Sequence, residues 1–178
     1  MDDRPAPGDV CPASSCDGWW PLAATDMENV AAIASLLHPS LPERPDILAE
    51  KNRLFPQGCR KLLVNARFSG YALAHPWLLA SPPGLDRYLE SLPATTDCLF
   101  IHDVAVLPQA RGQGAAAAYL QLMEIVASAH GLSALALIAV HGTARLWHRF
   151  GFAAADGLAS GAPAAYGAEA VYLIRRLD

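Results

Sequence analysis

Lysine is nearly absent from this chain. Lys51 and Lys61 are the only two among 13 basic residues, which stand against 17 acidic ones for a formal net charge of −4. No segment concentrates the basic side chains, so the cationic face that a nucleic-acid partner requires is missing. Cysteine is also sparse. Cys11, Cys16, Cys59 and Cys98 include no Cys-x-x-Cys pair, which argues against a zinc site or disulfide framework and for free thiols in a reducing compartment. No apolar run approaches the roughly 20 residues of a membrane-spanning helix. The opening Met1-Asp-Asp-Arg-Pro5 lacks the basic start and apolar core of a signal peptide. The expectation is a soluble cytoplasmic protein with neither a membrane nor a nucleic-acid partner and no metal.

What is abundant is small and apolar. Hydrophobic residues make up 53% of 178 positions and mean hydropathy is +0.21, which excludes a disordered chain and fits one domain able to bury a core. Residues 1–18 are rich in Pro, Gly, Asp and Ser and read as a flexible leader. Residues 19–178 read as one domain, with no repeat or linker to divide it.

Thr25-Asp-Met-Glu28 has the spacing of a capping box and precedes Val30, Ile33, Ala34 and Leu37 at helical intervals. A second helix starts at Pro45 and runs to Leu54. Arg60–Ala66 and Gly70–Trp77 then read as strands, followed by a short amphipathic helix over Leu85–Leu92. The strongest strand signal is Asp97–Leu107, closed by Pro108. A long helix follows over Gly112–His130, with Ala115, Ala118, Leu122, Val126 and Ala129 as its apolar stripe and Gly131 as its cap. Ala134–Val140, Thr143–Phe150, a strand opened by Gly151-Phe152, and Ala170–Arg175 complete the order ααββαβαβαββ. This is an α/β or α+β domain around a central sheet.

The chemistry concentrates at Pro108-Gln-Ala-Arg-Gly-Gln-Gly114. Two glycines at the mouth of a helix admit a ligand close to the backbone. The first helical N–H groups have no internal partners and sit at the positive end of the helix dipole. The result is an anion site suited to a pyrophosphate, with Arg111 as an added cation. A triphosphatase loop would need Gly-Lys, and none occurs. Gly112-Gln-Gly114-Ala-Ala-Ala117 does fit a dinucleotide fingerprint, but Leu132–Val140 lacks the acidic residue that fingerprint requires.

The third class is coenzyme A. Gln109-Ala-Arg-Gly-Gln-Gly114, after Asp103-Val-Ala-Val-Leu-Pro108 and before Trp147-His-Arg-Phe-Gly-Phe152, resembles the motifs of the GNAT family of N-acetyltransferases. The resemblance in element order spans about residues 19 to 178. It implies a mixed, mostly antiparallel central sheet with helices on both faces, splayed between the fourth and fifth strands. Acetyl-CoA would be the co-substrate. Backbone groups of Val104, Ala105 and Val106 would bond its pantetheine arm like an added strand. The amides of Arg111, Gly112, Gln113, Gly114, Ala115 and Ala116 would hold its pyrophosphate. His141 stands where many relatives have an asparagine facing the cofactor.

Acetyl transfer to an amine needs a base for the nucleophile and an acid for the thiolate. His102 is the base candidate, expected to share a strand face with Val104 and Val106 and to point away from Asp103. His75 is a candidate lining residue of the acceptor pocket. Glu43, Asp46 and Glu50 are candidates to attract a cationic amine. The family's usual acid is a tyrosine four residues before Gly-Phe, and this chain has Trp147 there. Tyr166 is the candidate replacement. The reading is an acetyl-CoA-dependent N-acetyltransferase acting by direct attack in a ternary complex on a small-molecule or peptide amine, with homodimerisation left open. The rival is a non-catalytic acyl-CoA-binding sensor or partner module.

Overall fold

Proline and glycine punctuate the chain where the sequence places its breaks. A computed structural model describes residues 17–79, 81–155 and 163–177. Cys11 and Cys16 lie outside them, and Cys59 and Cys98 are free, buried thiols. The described elements are β1 (Gly18–Pro21), α1 (Met27–Leu37), α2 (Pro45–Leu54), β2 (Arg60–Val64), β3 (Arg67–Trp77), β4 (Cys98–Val106), α3 (Ala115–Ala129), β5 (Ala134–Ala139), α4 (Ala144–His148), β6 (Ala153–Ala154) and β7 (Val171–Arg176). None of these helices is long and apolar enough to cross a membrane.

The sheet runs β1-β2-β3-β4-β5-β7-β6. Every neighbouring pair is antiparallel except β4 and β5, which are parallel and joined through α3. That parallel pairing is short: Leu99 with Leu135, Phe100 with Ala136, Ile101 with Leu137. Beyond it β4 continues to Val106 beside β3 alone, while β5 continues to Ala139 beside β7. The sheet therefore forks, as expected.

The core lies on both faces of this sheet. Tyr119, Leu120, Met123 and Ala127 of α3 pack on Ala72, Ala74, Leu99, Ile101, Leu135 and Leu137, with Trp147 of α4 in the same cluster. On the other face Val30 and Ile33 of α1 and Leu48 of α2 cover Tyr71, Leu73 and Ala105. The buried stripe of α3 differs from the expected one, since Ala118 and Ala129 are exposed. Alanine fits either side of a helix, whereas the large Tyr119 and Met123 gain far more from burial and set the rotation.

Three other expectations are corrected. No strand was expected before the first helix, yet β1 pairs Gly18–Pro21 with β2. Thr25 does not cap α1; Asp26 instead accepts the Ala23 amide at 2.8 Å. Leu85–Leu92 is not a helix. Asp86 and Glu90 have φ of 52° and 62°, and the segment's amides are taken by carboxylates from outside it. Glu43 accepts from Asp86 N at 3.2 Å, and Glu50 accepts from Leu89 N and Glu90 N at 2.7 and 3.0 Å. Those bonds replace the i−4 carbonyls a helix would offer, and amphipathic spacing alone does not outweigh them.

Candidate active site

Between the diverging ends of β4 and β5 lies a cleft of about 720 Å³. One wall is β4 from Ile101 to Val106, the other Leu137, Ile138, Val140 and His141; the start of α3 and residues of α4 close one side. The loop between α1 and α2, with Leu85 and Tyr166, closes the other.

The start of α3 is held open toward this cleft. Gly112 and Gly114 have φ of 77° and 78°, and a Cβ on either would meet nothing within 4 Å. The indole of Trp19 donates to Ala115 O at 2.8 Å, tying β1 to the first turn of the helix through its carbonyl and leaving the N–H groups alone. Ala110 N and Arg111 N close a tight turn on Leu107 O and Pro108 O, and Ala118 N bonds Gly114 O. Among the described residues the amides of Gly112 to Ala117 find no protein acceptor. Six free donors at the positive end of a 15-residue helix form a ready anion cradle. Arg111 donates through Nε to Val106 O at 2.9 Å, which leaves its terminal nitrogens available beside that cradle. Gly112, Gly114, Ala115, Ala116, Arg111, Val104, Ala105, Val106 and His141 all line the cleft. Gln113 instead lines a smaller hollow next to Trp19.

At His102 the strand carries a β-bulge. Leu73 pairs with Asp103 and Ala74 with Ile101, so His102 has no partner on β3. An extra residue shifts the phase of alternation. Leu99 and Ile101 face α3, and after the bulge it is Val104 that does so, while Ala105 faces α1 and α2. His102 and Asp103 consequently point to the same side, toward the loop between α1 and α2. This corrects the expectation that His102 shares a face with Val104 and opposes Asp103.

There His102 meets Glu43. Its Nε2 lies 2.8 and 3.1 Å from the two carboxylate oxygens, and its side chain is only 1% exposed against 11% for Glu43. The carboxylate is thus the more accessible member of the pair. Burial would raise the Glu43 carboxyl, but the charge of His102, its hydrogen bond, Lys51 and the Asp86 amide together hold it down to about 2. Lys51 is fully enclosed, with Nζ 3.9 Å from Glu43 and 3.4 Å from Ile47 O. Burial pulls its ammonium below the ordinary range, opposed by Glu43 and Glu50. The other two carboxylates grouped with Glu43 in the sequence are committed elsewhere: Asp46 accepts from Tyr88 and Glu50 caps the 89–90 amides.

His75 does not line the cleft. It is completely buried behind His102, its Nδ1 3.2 Å from Pro76 O, and burial together with the charge of His102 pushes it down to about 3. Tyr166 does line the cleft; its hydroxyl donates to Pro83 O at 3.0 Å, and burial raises the phenol well above its ordinary range. Trp147 also reaches the cleft and packs against Phe150 and Phe152. Sequence reasoning passed over His38 and Arg149, both in the lining. His38 stacks on His141 across the mouth, ring centroids 5.6 Å apart, and holds Nε2 3.2 Å from Asp103. Asp103 raises the imidazole of His38 above its ordinary value against the opposing effect of burial. The second oxygen of Asp103 accepts from Tyr71 at 2.5 Å.

The forked sheet and the cradle at α3 are features of a known class. Residues 30–152 match the family model described as the acetyltransferase (GNAT) family, and the chain belongs to that family. Among solved structures with the same fold is Ard1 from Thermoplasma volcanium, 16% identical, covering 90% of this chain and 97% of that one, with a TM-score of 0.67. The GphF GNAT-like decarboxylase in complex with isobutyryl-CoA is 14% identical over 90% of this chain and 99% of its own, with a TM-score of 0.74. N-acetylglutamate synthase from Neisseria gonorrhoeae, complexed with coenzyme A and N-acetyl-glutamate, is 21% identical over 90% of this chain and 35% of its own, with a TM-score of 0.67. No curated protein matches the chain.

Proposed function

We propose that this single domain, residues 19–178, is a cytoplasmic N-acetyltransferase that transfers acetyl from acetyl-CoA to an amine by direct attack in a ternary complex. The observation that carries the reading is the row of unpaired amides from Gly112 to Ala117 at one end of a cleft whose other side presents Glu43 and His102. The residues present fit a pyrophosphate: backbone donors, two glycines that leave room, and Arg111 beside them. Val104, Ala105 and Val106 offer strand edge to an extended arm where β4 has lost β5 as a neighbour. Bound acetyl-CoA supplies the activated thioester. Everything else falls to the chain.

Glu43 is the anion that meets an incoming ammonium, and His102 behind it takes the proton. Tyr166 is the only tyrosine of the lining among the described residues. Its donor, held protonated, serves as acid to the leaving sulfur on exchanging Pro83 O for it. Trp147 fills the family's usual tyrosine place with an indole, which packs and does not donate to sulfur.

The test is a thermal-shift series with CoA, acetyl-CoA and longer acyl-CoA esters, followed by free-thiol release with a panel of amines and peptides. Ligand at a hundred times its Kd adds about 2.7 kcal/mol, which in a chain of this size is a rise of roughly 5–10 °C. The absence of any shift and of any thiol release would refute the reading. A shift with no release by any amine would instead favour the non-catalytic binding module.

A further inference from the structure

Two leucines of the cleft wall stand outside the core. Leu41 and Leu85 are half-buried and line the cleft, yet among the described residues neither packs into a core cluster. Apolar surface offered to a concave site is surface for a ligand. Polar bonds beside the two leucines hold them in place. Leu41 N donates to His38 O at 3.0 Å, closing the turn after α1. Arg44 donates to the Asp86 carboxylate through its amide at 2.9 Å and its Nε at 3.1 Å, and Asp86 N donates to Glu43 at 3.2 Å. These bonds lace residues 41–44 to 85–86, so both leucines and the Glu43 carboxylate belong to one unit.

The charges on this side suit a cation and not an anion. Glu43 is held ionised. The cations that could answer a carboxylate are already taken. Lys51 is fully enclosed, Arg44 is bound to Asp86, and His38 lies 3.2 Å from Asp103. The guanidinium groups of the lining, Arg111 and Arg149, stand beside the start of α3 and the end of α4. Asp103 is occupied by His38 and Tyr71, which leaves Glu43 as the carboxylate for one incoming ammonium.

We propose that the acceptor is a primary monoamine on an apolar skeleton, with no carboxylate beside the amine, its tail against Leu41 and Leu85 and its ammonium at Glu43. Transfer breaks the C–S bond of the thioester and forms an N–C bond. Two protons leave the ammonium nitrogen, one ending on the sulfur of the coenzyme and the other in solvent. The product is a neutral amide that Glu43 no longer attracts, so the group that captures the substrate does not retain the product.

The proposal rests on the N-acetyltransferase reading, and free-thiol release with matched acceptors separates the two. From propylamine to hexylamine, kcat/KM should rise about fourfold with each methylene, the effect of burying one CH₂. Norleucine, which is pentylamine with a carboxylate beside the nitrogen, should run at least about a hundredfold below pentylamine, because that carboxylate enters the wall unpaired. Norleucine amide, with the bulk but not the charge, should fall between them. Leu41→Asn and Leu85→Asn keep the volume and remove the apolar wall; each should flatten the methylene series to about twofold per step or less while acetyl-CoA still raises the melting temperature. A flat series in the unaltered enzyme would overturn the proposal and leave the N-acetyltransferase reading standing. So would norleucine or a tripeptide acetylated faster than pentylamine, or both asparagine variants keeping the full slope. Silence from every amine would overturn that reading and the proposal together.

Discussion

Replacing Glu43 by glutamine tests the electrostatics of the site most directly. Glutamine has nearly the same shape and can still accept from the Asp86 amide and from His102, so the change removes chiefly a charge. The carboxyl stands at 4.5 ordinarily and at about 2 in the folded protein, a gap worth about 3 kcal/mol at roughly 1.4 kcal/mol per pH unit. Because the folded value is the lower one, this stabilisation is complete above pH 4.5 and fades as the pH falls toward about 2. Urea denaturation at pH 7 should therefore find Glu43→Gln about 2–3 kcal/mol less stable than the parent, with roughly half that difference gone near pH 3.3. Part of that loss falls on Lys51, whose enclosed ammonium then faces no carboxylate at 3.9 Å. Activity should fall too, through a higher KM for the amine. A variant equal to the parent at pH 7, or a deficit that stays constant under acidification, would refute this account of the Glu43–His102–Lys51 cluster.

Gly114→Val places a β-branched residue at φ of 78°, which costs about 1–2 kcal/mol in the free protein. Isothermal titration should show acetyl-CoA affinity reduced at least about tenfold, since each good bond to a phosphate is worth roughly that factor; unchanged affinity would remove the cradle from the binding site. Tyr166→Phe gives up the bond to Pro83 O, a loss of about 1 kcal/mol in stability. As the acid, Tyr166 should also carry about 10²-fold or more in kcat with acetyl-CoA affinity retained. A kcat unchanged in steady-state assays would assign sulfur protonation to solvent.

The parts of the molecule written in local chemistry were legible in the sequence. The Pro45 start of α2, the Gly131 cap of α3 and the end of β4 just before Pro108 each follow from a residue that restricts its own backbone. The glycines at 112 and 114 pointed, for the same reason, to a helix start whose first amides stay without protein acceptors. What escaped is decided between elements. Nothing in Phe100-Ile-His-Asp103 marks a bulge, because the extra residue is defined only by the pairing of β3, and so the side to which His102 turns was misjudged. The 85–92 segment has helical spacing but loses its amides to Glu43 and Glu50, some 40 positions away in the chain. Glu43 looked no different from Asp46 and Glu50 until the fold committed those two to Tyr88 and to the 89–90 turn.

The three-residue seam between β4 and β5 has one more consequence. A fork has a blunt end, and here it is walled by Ile101 and Leu137, which are both buried at 2% exposure, both part of the main core and both in the cleft lining. Anything pushed in from the open end stops against them. Trimming either to alanine to admit a longer acyl tail would cost the core about 2–5 kcal/mol. Under the proposed function, the reach of the donor and the cohesion of the sheet would be set by the same pair of side chains, and lengthening one would loosen the other.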